Sequence, residues 1–355
     1  MLDFVEKFKI SSMPIEDLYA EVKEMTSIKF FVDDVNIKQQ VIKTFAKTKQ
    51  NIFLEMFMQK NKQSVDKISY SGEDIVVACG SGELGDYAKY YAACFDLPII
   101  CVYTDIFLDY NMSKFALLYD GVSKNFYVTK SPKSFYVLYK ESCSEMEAYA
   151  RAKSLEYFDF KFNEVLLQDN LNDDAKQILK NTILELKLEN YNYFAIVKAF
   201  LKLGMAMTFF DSTKLFLFGY FDMVNFLSLL RGEDKCKTAS AIVAKTYLLS
   251  FKYKMHDRGV NLNKIINKIS KKLKVPSFCV IKSIKNQKCN ENVKVDMFKL
   301  YSYKESLQQL LLRNTYLLKN YNIDKCVLDS VNFAAYFSDR LSLLQLLTKA
   351  GLINV

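Results

Sequence analysis

The chain has 355 residues, half of them hydrophobic, with 28 Phe and 23 Tyr, a composition that excludes a disordered protein. Its 49 Lys and Arg against 40 Asp and Glu give a net charge of +9, carried mostly by scattered lysines, which favours small anionic ligands and gives no footprint of a nucleic-acid partner. A single histidine, His256, excludes any mechanism or metal site that needs two.

The first 140 residues alternate between strand-like runs and helical periodicity. Residues 28–32, 51–57, 74–79, 98–103, 114–119 and 134–139 are predicted strands, and 36–48 and 85–95 are predicted helices. That alternation predicts an α/β, Rossmann-like domain: a mostly parallel sheet with helices on both faces. From Ser144 the pattern changes. Ser144 and Glu147 form a capping box, and residues 144–167, 173–188, 191–210, 221–230, 235–253, 261–273, 303–318 and 329–347 carry the 3.6-residue period. A short run at 278–281 is the one strand candidate in this half. Two domains are therefore expected, 1–143 nucleotide-binding and 144–355 all-helical, with a ligand cleft between them. A homodimer is left open. Around residues 264–274, five lysines flank an apolar stripe of Ile265, Ile266, Ile269 and Leu273, the pattern of a solvated helix face, with a phosphate or nucleic-acid contact as the alternative. No window holds the ~18 uninterrupted apolar residues of a membrane span. Residues 201–230 come nearest and are broken by Lys202, Asp211, Lys214 and Asp222. The first residues lack the apolar centre of a signal peptide, and the eight cysteines are scattered with no CxxC pair, so a cytoplasmic protein with reduced thiols is expected.

The densest chemical signal is the stretch 74–89, DIVVACGSGELGDYAK. An apolar strand enters a turn holding Gly80, Gly82 and Gly85, three of the chain's ten glycines, and an amphipathic helix leaves it. Glycines admit a close ligand, and a helix N-terminus offers free N–H groups and a partial positive charge, the arrangement that binds a pyrophosphate. The alternative is a tight β–α turn in which glycine serves packing alone. Asp86 is either an acid in the first turns of the helix or a cofactor contact, and Lys89, one turn on, either pairs with it or reaches toward the nicotinamide. Asp33 and Asp34, after the first predicted strand, suggest a ribose contact and hence NAD.

Four stretches together resemble the iron-containing alcohol dehydrogenase and dehydroquinate synthase superfamily, in the branch of the glycerol-1-phosphate and glycerol dehydrogenases. CGSGELGDYAK looks like its pyrophosphate loop followed by Asp86, Ala88 and Lys89. PIICVYTDIFLDYNMSK is similar to its strand, threonine and pocket aspartate, here Thr104 and Asp109, with Tyr103 in place of a proline. ARAKSLEYFDFKF matches at Ala152, Lys153 and Asp159, and FSDRLSLLQLLTKAGLI matches its closing helix at Arg340. The resemblance implies NAD(H) or NADP(H) bound by Gly80, Ser81, Gly82, Asp86, Lys89 and Thr104, and a small phosphorylated polyol or ketone as substrate. It also implies a divalent metal held by one aspartate and two histidines. At those positions this chain has Tyr149, then Phe221 or Asp222, then Arg231, followed by Gly232 and Glu233. A phenol and a guanidinium do not hold Zn²⁺ or Fe²⁺, so no metal is expected there. Tyr149, Arg231 and Asp109 become the candidate catalytic residues, with Arg231 either holding a phosphate or carboxylate or pairing with Asp222 or Glu233. Loss of catalysis, with the fold kept for binding or assembly, is the alternative reading.

Overall fold

The computed structural model describes residues 8–58, 61–104, 110–120, 123–138, 153, 173–185, 193–211, 219–231, 262–274, 276–277 and 325–334. A six-stranded sheet organises the first part. Its strands are β1 (Phe8–Ser11), β2 (Ser27–Val32), β3 (Asn51–Met56), β4 (Ile75–Gly80), β5 (Ile99–Tyr103) and β8 (Ser134–Leu138), all parallel in the order β1-β8-β5-β4-β2-β3. Every residue of β2, β4 and β5 is buried, which is why IVVACG and IICVY read as continuous apolar runs rather than alternating ones.

Helices cover both faces. α1 (Pro14–Val22) and α2 (Val35–Phe45) pack on one, where Leu18, Val22, Val41 and Phe45 meet Phe30, Val77 and Val102. On the other, α4 (Gly82–Cys94) lays Tyr87 and Tyr91 against Phe57 and Phe31, with ring centroids 4.8 and 5.1 Å apart. The short α3 (Lys62–Asp66) lies in the connection from β3 to β4. From β2 the chain passes through α2 outward to β3, whereas from β4 it passes through α4 the opposite way to β5. The carboxyl ends of β2 and β4 therefore flank a topological switch point, where open α/β sheets place their ligands.

Several elements differ from the sequence expectation. Residues 115–120 do not join the parallel sheet: β6 (Phe115–Asp120) pairs antiparallel with β7 (Ser123–Val128) as a separate hairpin. A strand pattern does not name its partner, although Asp120-Gly121 is a hairpin signal. The edge strand β1 and helix α1 were not predicted; four residues of β1 are too few for a period to show. Helix α4 begins at Gly82, so Gly82 and Gly85 lie inside its first turn rather than before it.

The remaining described elements are α5 (Asp173–Glu185), α6 (Tyr193–Phe209), α7 (Gly219–Arg231), α8 (Leu262–Leu273) and α9 (Lys325–Phe333). Among the described residues beyond 138, every element is helical. None of the described helices is long and apolar enough to cross a membrane. Two compact units result: Met1–Glu141 with Tyr193–Ser212, and Ser142–Asn192 with Thr213–Val355. Although α6 lies in the helical half of the sequence, it packs in the sheet unit. Gly204 lets it approach the backbone at Tyr110 and Ser113, where an added Cβ would meet atoms at 3.3 Å. Thr208 Oγ1 accepts from the Lys114 N–H at 2.8 Å, and the Tyr193 hydroxyl donates to the Leu138 carbonyl at 2.7 Å. In the second unit α7 buries Phe221, Met223, Val224 and Leu227, and α9, whose Val327 is buried, packs on it. The Nζ of the wholly buried Lys153 sits 5.2 Å from the Phe221 ring centroid. On α8, Ile266 and Ile269 face inward while Lys268 and Lys271 are exposed.

Candidate functional site

The carboxyl edge of the sheet brings together the ends of β2, β4 and β5. Gly80 ends β4, Ser81 caps α4, and the Thr104 N–H donates to the Gly80 carbonyl at 2.9 Å, so Gly80, Ser81, Gly82 and Thr104 form one local group. Ser81 Oγ accepts from the Leu84 N–H at 3.3 Å, the bond that starts the helix.

Asp33, at the end of β2, stands in this turn. Its Oδ2 accepts from the Ser81 N–H at 3.1 Å and from Ser81 Oγ at 2.5 Å. A Cβ on Gly80 would lie 2.7 Å from Asp33 Cγ and 2.8 Å from Leu84 Cδ2, so Gly80 is glycine because a carboxylate is seated against it. Gly85 has a similar reason within the chain: a Cβ there would meet Cε1 and the hydroxyl of Tyr103 at 2.7 Å. Asp34 caps α2, accepting from the N–H groups of Asn36 at 2.8 Å and Ile37 at 3.1 Å. The pair expected at a ribose is thus split between a helix cap and the glycine turn. An aspartate just before a helical pattern is a cap signal, so the sequence could have yielded Asp34; nothing local in it pairs Asp33 with Ser81.

Glu83, in the first turn of α4, pairs with Lys124 on β7 at 3.0 Å. Burial works to lower the Lys124 pKa, but the Glu83 carboxylate, helped by Tyr119, outweighs it and holds the ammonium above the ordinary lysine range. At the end of β4, burial pushes the Cys79 thiol well up, with Cys101 and Asp33 adding to the effect, so it is no nucleophile at neutral pH.

Asp86 and Lys89 lie in the interior below the turn, both side chains wholly buried. Their ion pair spans 2.8 Å. Lys89 Nζ also donates to the carbonyls of Asn111 at 3.3 Å, Ser113 at 3.4 Å and Phe115 at 2.5 Å, fixing the segment that leads into β6. Their geometry is that of a structural staple between α4 and that segment. Asp109 and Tyr149 lie outside the described residues, as do Glu233, His256 and Arg340.

No protein-family model matches the chain, and no curated protein matches it in sequence. In structure, a probable glycerol dehydrogenase from Sinorhizobium meliloti 1021 matches at a TM-score of 0.53, over 87% of this chain and 98% of that one, with 13% identity. Glycerol dehydrogenase from Schizosaccharomyces pombe matches at 0.50, over 89% and 92%, with 12% identity. The Escherichia coli K-12 protein YqhD matches at 0.53, over 98% and 95%, with 12% identity. The chain has the fold of the glycerol dehydrogenases.

Two of the three positions that hold the metal in the glycerol dehydrogenase-like pattern fall on α7, Phe221 or Asp222 in its first turn and Arg231 in its last. The helix runs through YFDMVNFLSLL without glycine or proline, so nine residues separate Asp222 from Arg231 by about 13 Å along the axis and about half a revolution around it. Asp222 and Arg231 therefore lie on opposite sides of the helix. Arg231 is placed where the negative end of the helix dipole favours a cation. Among the described residues, no group of three or more His, Cys, Asp or Glu side chains is placed to hold a metal. For the dinucleotide, the switch point and the α4 N-terminus have the right place in the fold, and the Asp33 carboxylate already accepts from both the N–H and the hydroxyl of Ser81. A pyrophosphate accepting from Ser81 would have to take these donors from Asp33.

Proposed function

We propose that the chain is a divergent NAD(P)-dependent oxidoreductase acting on a small polyol or ketone, with a phosphorylated substrate such as glycerol 1-phosphate as the finer reading. The observation that carries the proposal is the fold match across 98% of a probable glycerol dehydrogenase, with the β4–α4 turn at the switch point of the sheet. A bound nicotinamide would supply the hydride acceptor or donor. In this reading Ser81, Gly82 and Thr104 hold the nucleotide at the sheet edge, and Asp86 and Lys89 fix the turn from inside. Arg231 holds the substrate's anionic group, Asp109 lines the pocket, and Tyr149 gives or takes the hydroxyl proton. The protein works without Zn²⁺ or Fe²⁺, in the cytoplasm.

Calorimetric titration with NAD⁺ and NADP⁺ tests the nucleotide claim, and nicotinamide absorbance with glycerol and glycerol 1-phosphate tests the chemistry. Saturable binding with turnover of one substrate is expected; no binding at millimolar nucleotide refutes the reading. A second reading is favoured by a specific observation: Asp33 beside Gly80 and Tyr103 beside Gly85 give both glycines reasons that need no ligand. On that reading the fold serves binding or assembly alone, and no nucleotide is turned over.

A further inference from the structure

The charges around the α4 N-terminus are unusual for an anion site awaiting its ligand. Free N–H groups and the positive end of the helix dipole attract one negative group, and here the chain provides its own. Asp33 Oδ2 takes both donors of Ser81, its backbone N–H and its hydroxyl. Glu83 places a second carboxylate in the same helical turn, and the nearby Lys124 answers Glu83 at 3.0 Å; among the described residues, the hydrogen bonds of the Asp33 carboxylate go to Ser81. Gly80 completes the seat, since any Cβ there would collide with the Asp33 carboxyl group. The Asp33 carboxylate is hydrogen-bonded into the turn.

We propose that the Asp33 carboxylate is a built-in occupant of the anion position at the β4–α4 turn, and that a phosphate-bearing ligand binds there only by displacing it. The inference rests on the nucleotide reading above and adds a competitor to it. A carboxylate and a phosphate oxygen accept from the same N–H and O–H donors, and two anions do not share one such seat. The intact chain therefore discriminates against weakly held phosphates, and a ligand must gain enough from its other contacts to move Asp33 aside.

The experiment is calorimetric titration of the full chain, and of Asp33→Asn and Asp33→Ala, with inorganic pyrophosphate and with NAD⁺. Asp33→Asn keeps the shape and removes the charge; Asp33→Ala also empties the seat. Pyrophosphate is decisive because it has no ribose or base. At least tenfold tighter pyrophosphate binding in Asp33→Asn is expected, a gain of about 1.4 kcal/mol, with a larger gain in Asp33→Ala. Unchanged or weaker pyrophosphate binding in both variants overturns the inference. If NAD⁺ then binds the intact chain and is weakened by both variants, Asp33 is a ligand contact and the nucleotide reading survives alone. If NAD⁺ binds none of the three proteins, the nucleotide reading fails with the inference.

Discussion

Replacing Lys89 by methionine keeps the length of the side chain and removes only its charge and donors, so the loss of stability measures what the buried ammonium holds. Lys89 Nζ lies 2.8 Å from Asp86 Oδ1, and neither side chain is exposed. At an effective dielectric constant of 20, their attraction is about 6 kcal/mol, a ceiling before desolvation is subtracted. Removing one partner of a buried pair costs about 3–5 kcal/mol, because the other charge stays behind. The carbonyls of Ser113 and Phe115 lose a donor in the same step, which places the expected loss for Lys89→Met near the top of that range. Asp86→Asn leaves an acceptor for the ammonium and keeps its carbonyl bonds, so about 2 kcal/mol is expected. The assay is urea unfolding followed by far-UV circular dichroism, since the chain has no tryptophan. A loss below about 1 kcal/mol for Lys89→Met, against domain stabilities of about 5–15, would refute the buried-staple account.

Gly85→Ala drives a Cβ into the Tyr103 ring and should cost about 1–3 kcal/mol, seen as a lower thermal midpoint and partly relieved by adding Tyr103→Leu. Among the described cysteines, exposed Cys94 should react with a thiol reagent in the native protein at pH 8, while buried Cys79 and Cys101 should not; labelling followed by mass spectrometry decides it. Burial pushes the Cys101 thiol from 9.0 up to about 12, although Tyr103 and Lys89 pull against it. Between those values the unfolded thiol has ionised and the folded one has not, so the unfolded state binds fewer protons and the Cys101 contribution to stability falls as pH rises across that window. Elemental analysis of purified protein should find no stoichiometric zinc or iron. About one ion per chain, lost on changing Tyr149, Asp222 or Glu233, would restore a metal-dependent reading.

Much of the site was legible because the β4–α4 stretch is local: strand, glycine turn and helix follow one another within 16 residues, and their order alone puts a helix N-terminus at a strand end. Legibility stopped where partners come from elsewhere in the chain. Asp33 meets Ser81 across 48 positions, and Lys124 meets Glu83 across 41. Asp222 and Arg231 are close in sequence, yet the helix that joins them sets them about half a revolution apart.

The sequence by itself determined which runs are strands buried on both faces, because that follows from period and apolar content over a few neighbouring residues. It also ruled out a two-histidine site by composition. Only the tertiary structure decided that 115–128 is a hairpin outside the sheet, that α6 packs beside that hairpin, and that the glycine turn already holds a carboxylate. Those outcomes depend on which distant segments share a surface, and on the free energy of satisfying each buried donor and charge. Neither is written in a local pattern.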